Sequence, residues 1–127
     1  MMEKPGPVIL IEDEPMFRAL IREVLEAEGR EVIALGHPDL LRALPDGVDP
    51  DLIVIDLMLP GESGLQLARE LRDGPYAHTP MIALSADRLA LLFAERSGLF
   101  QETMAKPFDL TMFLQTTQHY LGRYVCA

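Results

Sequence analysis

Acidic side chains stand directly behind two apolar runs of this sequence. Val8-Ile9-Leu10-Ile11 is followed at once by Glu12-Asp13-Glu14, and Leu52-Ile53-Val54-Ile55 by Asp56. A third run, Met81-Ile82-Ala83-Leu84, ends at Ser85, and Lys106 follows a weaker candidate strand near Thr103 to Ala105. Three carboxylates brought together repel, and each favours its protonated form unless a cation intervenes. A hard, oxygen-seeking ion such as Mg²⁺ resolves that conflict and keeps several waters, one of which a phosphate oxygen can replace. An ammonium from Lys106 would neutralise charge on an arriving phosphoryl group, and Ser85 would offer it a hydroxyl. Catalysis of phosphoryl transfer is chiefly positioning plus charge neutralisation. Asp56 is the natural nucleophile of the set, since a carboxylate can form an aspartyl phosphate.

That chemistry requires elements which bring distant residues to one edge. Short unbroken runs of branched residues suggest strands covered on both faces, as in a parallel sheet. Between them lie helical patterns. Phe17, Leu20, Ile21, Val24 and Leu25 form one stripe, with Pro15 suited to its first turn and Gly29 to its stop. Val32 to Leu35 reads as a short strand, and Pro38 to Leu44 as a short helix ended by Pro45-Asp46-Gly47. Gly64, Leu67, Ala68 and Leu71 repeat the stripe until Gly74-Pro75; Leu89, Leu92 and Phe93 give another helix, ending near Gly98. Leu110, Phe113, Leu114, Leu121 and Val125 give a last one, with Asp109 placed to cap it. Alternating strands and helices imply an α/β fold with parallel strands and right-handed crossovers. In such sheets ligands bind outside the carboxyl ends of the strands, where Glu12, Asp13, Asp56 and Ser85 would meet.

A length of 127 residues fits a single domain with a core over about residues 8–125. The 20 acidic against 11 basic residues give a net charge of −9, the opposite of the basic face that direct nucleic-acid binding requires. No stretch approaches the ~18–20 apolar residues that would span a bilayer. The first residues, Met1 to Val8, do not resemble a signal peptide, so a cytoplasmic location is expected. The lone cysteine, Cys126, has no partner for a disulfide and no metal-ligand pattern, and reads as idle. His37, His78 and His119 are scattered without metal-ligand spacing and read as surface residues.

Glu12-Asp13, Asp56 with Met58-Leu59-Pro60-Gly61 and Gly64 behind it, Ser85-Ala86, and Lys106-Pro107-Phe108 together resemble the signature of two-component receiver domains. The resemblance implies a flavodoxin-like, doubly wound five-stranded parallel sheet of order 2-1-3-4-5 with five helices. It implies Asp56 as phosphoacceptor and direct metal ligand, Asp13 as a second direct ligand, the backbone carbonyl of Met58 as a third, and Glu12 acting through water. The metal would be Mg²⁺, with Mn²⁺ as an alternative. Ser85 would be the switch hydroxyl, Lys106 the phosphate-sensing cation, and Lys106-Pro107 a cis bond. Such a protein assists its own Mg²⁺-dependent phosphorylation and dephosphorylation rather than turning over a substrate, and residues at Met58 and Asp87 influence phosphoryl lifetime. The donor would be a histidine kinase or histidine phosphotransfer protein. With no effector domain attached, output or relay would pass to a protein partner through the face of the fourth helix, fifth strand and fifth helix.

One departure stands out. Thr103 occupies the position where the family usually carries an inward-turning Tyr or Phe, and the spacing from Ser85 to Lys106 is one residue short. Phe100 is the nearest aromatic, but its position is wrong for a simple swap. A receiver-fold binding module working without phosphorylation is therefore the alternative. A phosphatase would need a second aspartate where Met58 stands, and a flavin protein a hydroxyl-rich loop where Glu12 to Glu14 stand. Taken singly, Glu12 to Glu14 could be an acidic helix start, Asp56 a turn residue and Lys106 a solvated lysine; Asp51 reads as a turn residue. The apolar segment Leu89 to Ala94 fits a deeply packed helix and a partner-binding patch equally well.

Overall fold

The computed structural model describes residues 5–122, so Val125 and Cys126 lie outside the described residues. Five strands alternate with five helices along the chain: β1 (Val8–Ile11), α1 (Pro15–Ala27), β2 (Val32–Leu35), α2 (Pro38–Arg42) and β3 (Leu52–Asp56) come first. α3 (Gly64–Arg72), β4 (Met81–Ser85), α4 (Arg88–Ser97), β5 (Glu102–Ala105) and α5 (Leu110–Leu121) complete the order. All strand pairs are parallel, and the sheet runs β2-β1-β3-β4-β5. This is the flavodoxin-like α/β arrangement expected from the sequence. The short helix α2 stops at Arg42, two residues before the expected end.

Covered faces explain the unbroken apolar runs. Val8, Leu10, Leu52, Val54, Ile82 and Leu84 pack on one side with Ile21 and Leu25 of α1 and Phe113 of α5. Ile9, Ile11, Ile53 and Ile55 pack on the other with Leu41 of α2 and Leu67, Ala68 and Leu71 of α3. Both sides of β1 and β3 are dry, so alternation disappears from their sequences. The stripe of α1 needs one correction: Leu20 is 42% exposed, since Phe17, Ile21, Val24 and Leu25 suffice to cover the sheet. On α4, Ala94 alone is buried, and Leu89 and Phe93 are more than half exposed, so the deeply packed reading of that helix does not hold.

Two arginines clamp the sheet edge remote from the carboxyl ends. Arg72 donates to the carbonyls of Leu99 and Thr79 at 2.7 and 2.6 Å and to Gln101 Oε1 at 3.0 Å, tying the α3–β4 connection to the α4–β5 connection. Arg30 donates to Leu121 O at 2.7 Å and to Asp51 Oδ2 at 3.1 Å. Asp51 also accepts from Gly6 N–H at 3.0 Å, so it is an anchor for three segments rather than a plain turn residue.

Behind the end of β3 the chain folds back closely on itself. Gly64 N–H donates to Leu57 O at 2.8 Å, and a Cβ added at Gly64 would lie 2.5 Å from Asp56 O and 2.8 Å from Leu57 Cα. Those are backbone atoms, which cannot step aside as a side chain can. Gly64→Ala should therefore destabilise the fold by about 1–3 kcal/mol, the usual cost of forced overpacking. Urea denaturation with an unchanged m-value is the check.

Candidate functional site

Register brings the acids together. Ile11 pairs with Ile55, so the residues following them, Glu12 and Asp56, are neighbours across the β1–β3 seam. The two-residue period of the strands sends both side chains to the side of Val8, Leu10, Leu52 and Val54, where α1 and α5 lie. Glu12, Asp13 and Asp56 each offer a carboxylate oxygen, all within 4.8 Å of one another. Glu12 is fully buried and Asp56 nearly so, whereas Asp13 is exposed at the mouth. Glu14, the third acid of the run, takes no part in the cluster. It caps α1, accepting from Met16 N–H at 3.2 Å and from Phe17 N–H.

Lys106 completes the site from β5. Its Nζ donates to Asp56 Oδ2 at 2.8 Å and to Glu12 Oε1. The shortened spacing after Ser85 does not displace it, because Ser85 pairs with Ala105 and Lys106 N–H donates to Ser85 O at 2.9 Å. Between α4 and β5 Gly98 adopts φ 73° at the end of the helix, a left-handed turn. The Lys106-Pro107 bond is cis. Asp56 Oδ1 accepts from Met58 N–H at 2.9 Å, and Met58 itself is 57% exposed beside the mouth. Each carboxylate oxygen of Asp56 thus has one partner and a lone pair to spare.

Ser85 is fully buried at the end of β4, and its Oγ accepts from Asp87 N–H at 3.0 Å, leaving its own hydroxyl hydrogen to donate. Asp87 in turn caps α4 through Leu89 N–H and Ala90 N–H. Thr103 points elsewhere: its Oγ1 donates to Glu95 Oε1 of α4 at 2.9 Å. Phe100 packs among Leu57, Ala83 and Ala94 without reaching the acids. Of the histidines, His37 accepts from Asp39 N–H at the start of α2, while His78 and His119 are exposed.

Phe17 and Arg18 are parts of the site that residue type alone did not disclose. Lys106 Nζ sits 4.4 Å from the centroid of the Phe17 ring. Arg18 donates to Glu12 O at 2.8 Å and bonds Asp13 O as well, pinning the turn that carries both acids. A signal for Phe17 exists in the sequence, since it falls one turn into the helix that the acidic run opens. Its periodicity marked it only as core.

Electrostatics here follows from burial. Desolvation, reinforced by the Asp56 carboxyl beside it, pushes the Glu12 carboxyl up to about 7, against the pull of Lys106. Burial would lower the Lys106 pKa, but hydrogen bonds to Asp56 and Glu12 win and raise it. Among the described residues Lys106 is the only cationic side chain bonded to the two buried carboxylates. A hard divalent cation suits this set: three oxygens from separate side chains, mutually repelling, with open solvent beside Asp13.

Residues 8–118 match the family model described as the response regulator receiver domain. The chain is 33% identical over 122 residues to the polar-differentiation response regulator DivK of Brucella anthropi, covering 93% of this chain and 98% of that protein. A response regulator from Thermotoga maritima, solved in complex with Mg²⁺–BeF, superposes with TM-score 0.77 at 25% identity, over 91% of this chain and 99% of that one. A response regulator from Chloroflexus aurantiacus shares the fold with TM-score 0.82 at 24% identity, over 94% of this chain and all of that one.

The Glu12 carboxyl gives a pH dependence of definite sign. Its folded pKa, about 7, lies above the ordinary 4.5, so the folded protein binds that proton more tightly than the unfolded chain. The resulting stabilisation is complete below pH about 4.5 and is lost as pH rises through about 7. Metal-free protein should lose stability across that window, and Glu12→Gln should flatten the dependence. Denaturant midpoints measured between pH 5 and 8 without divalent cations decide it.

Proposed function

The chain belongs to the response regulator receiver domain family of two-component signalling, and on that premise we propose that it is a switch or relay protein phosphorylated on Asp56. One observation carries the reading: an ammonium, Lys106 Nζ, lies 2.8 Å from an Asp56 oxygen in the same pocket as the Glu12 and Asp13 carboxylates. A phosphohistidine of a histidine kinase or phosphotransfer protein is the donor. An Asp56 carboxylate oxygen attacks phosphorus, a new O–P bond forms, and the N–P bond breaks with its electron pair leaving on the imidazole. Lys106 follows the charge from the carboxylate onto the phosphoryl oxygens, and the Ser85 hydroxyl donates to another of them. Met58 N–H fixes the Asp56 carboxylate in place during the attack.

Asp13, Asp56 and the Met58 carbonyl would hold Mg²⁺, or Mn²⁺, directly, with Glu12 acting through water. The ion, when bound, supplies further neutralisation of the transferring phosphoryl oxygens. The Thermotoga maritima relative was solved with Mg²⁺–BeF, which supports the choice of metal. The protein acts as one receiver unit in the cytoplasm, assists its own phosphorylation and dephosphorylation, and hands its signal to a protein rather than to nucleic acid. Among the described residues no helix is long and apolar enough to cross a membrane. Phosphorylation would shift an existing equilibrium at the face formed by α4, β5 and α5. The Thr103 to Glu95 bond favours a second reading, a binding module that keeps the fold without the phosphoryl switch.

Mass spectrometry after treatment with a small acyl-phosphate donor separates the two. With Mg²⁺ the intact protein should gain one phosphoryl group, located on Asp56, and Asp56→Asn should gain none. Label persisting at full level in Asp56→Asn would move the acceptor elsewhere, and an unlabelled parent protein would favour the binding module. Asp13→Ala should weaken Mg²⁺ affinity most among the acid substitutions, as read by metal titration. Lys106→Ala should uncouple phosphorylation from partner binding more than it prevents labelling; a partner affinity that still responds to phosphorylation would contradict that role.

A further inference from the structure

We propose that Phe17 is a positioning residue for phosphoryl transfer: the face of its ring holds the Lys106 ammonium against Asp56 and Glu12. The inference rests on the reading of Asp56 as phosphoacceptor. Lys106 Nζ has carboxylates on one side and the ring, 4.4 Å away at its centroid, on the other. A lysine stem is long and rotamer-rich, so an ammonium with charge on one side only would exchange freely with solvent. The negative face of an aromatic ring supplies an attractive wall, which an aliphatic side chain of similar size does not.

The ring is itself well fixed. Phe17 lies in the first turn of α1, where its N–H donates to the capping Glu14 carboxylate. Phe108 meets it edge-on at 5.6 Å between centroids and 76° between planes, and stacks in turn on Phe113 at 5.2 Å and 21°. Phe113 is fully buried against the sheet. A column of three rings therefore connects the rigid core to the ammonium. Phe108 follows Lys106 by two residues, so the same column also anchors the β5–α5 turn that carries the lysine. When Asp56 gains a phosphoryl group the oxygens facing Lys106 change place, and the ring keeps the ammonium within reach of the new ones. Placement of this kind is what converts a nearby charge into a faster reaction.

The test compares Phe17→Leu, Phe17→Met and Phe17→Tyr in the full chain by two readouts. The first is the NMR shift of the Lys106 side-chain methylene protons in metal-free, unphosphorylated protein, where a ring above the ammonium displaces them upfield. The second is the rate of Asp56 phosphorylation by a small acyl phosphate with Mg²⁺. Leu and Met should abolish the upfield displacement and slow phosphorylation by roughly three- to tenfold, the range expected from one lost cation–π contact. Tyr should retain both. Thermal melting identifies any variant that fails to fold, and the Met variant stands in should Leu do so. Lys106 protons without ring displacement in the parent protein would overturn the proposal. So would folded Leu and Met variants phosphorylated at the parent rate, or a Tyr variant slowed as much as they are. If the parent protein takes no phosphoryl group on Asp56, the functional reading fails, and the methylene shifts alone decide whether Phe17 positions Lys106.

Discussion

Two buried carboxylates share one ammonium at the carboxyl edge of this sheet, and much of the surrounding structure serves that contact. Lys106 Nζ bonds both Glu12 and Asp56, so the ends of β1, β3 and β5 are joined through a single charge. Without it, two acids set beside each other by the Ile11–Ile55 register would face one another in a low-dielectric site. Breaking a buried pair by removing one partner is costly, because the remaining charge has nowhere to go. Burial, with the Asp56 carboxyl beside it, holds the Glu12 proton unusually tightly, and one positive charge against two buried acids leaves the balance incomplete. The same incompleteness makes the pocket receptive to a cation.

Stability and chemistry occupy opposite edges. Arg72 and Arg30 tie loops together at the remote edge, where their donors meet main-chain carbonyls and the side chains of Gln101 and Asp51. The dry strands between transmit that rigidity to the other edge, whose loops are short and capped by acidic side chains: Glu14, Asp87 and Asp109 open α1, α4 and α5. Each cap satisfies helix N–H groups that have no partner within the helix. Acidic residues at this edge thus divide by place: Glu12, Asp13 and Asp56 gather in one cluster, with Asp13 exposed at its mouth, whereas Glu14, Asp87 and Asp109 are exposed helix caps.

The parallel α/β sheet and the placing of Glu12, Asp13, Asp56 and Ser85 at one edge were legible because each of those apolar runs ends at its polar residue, while the strand order came with the family resemblance. A covered strand reads plainly in sequence, and parallel topology then leaves few places for its end. Leu20, α4 and Phe17 were less legible for a common reason. Periodicity shows which residues are apolar but not how much of the surface opposite is available to cover them. α4 meets the sheet mainly through Ala94, with Ala90 and Leu91 partly buried, so Leu89 and Phe93 remain outside. Phe17 is apolar in type and half-buried in place, yet its partner is an ammonium from a strand far along the chain. Asp51 was misread for a similar reason, since its partners Gly6 and Arg30 come from segments distant in sequence.

Thr103 bears on how a signal would leave the pocket. Two polar contacts attach α4 to the strands beside it: Asp87 N–H to Ser85 Oγ at its start, and Thr103 Oγ1 to Glu95 near its end. An aromatic at residue 103 would need space to turn inward, but a threonine hydroxyl needs only to exchange acceptors. Each of these bonds contributes about 1 kcal/mol or less when exposed, and α4 buries little apolar surface to oppose a shift. A helix so loosely held responds to small differences in interaction energy. In the proposed reading, a phosphoryl oxygen that recruits the Ser85 hydroxyl acts on one residue whose other partner is the α4 cap itself. In that reading the cap contact, rather than an aromatic at residue 103, joins the pocket to α4, the helix that bears Leu89 and Phe93.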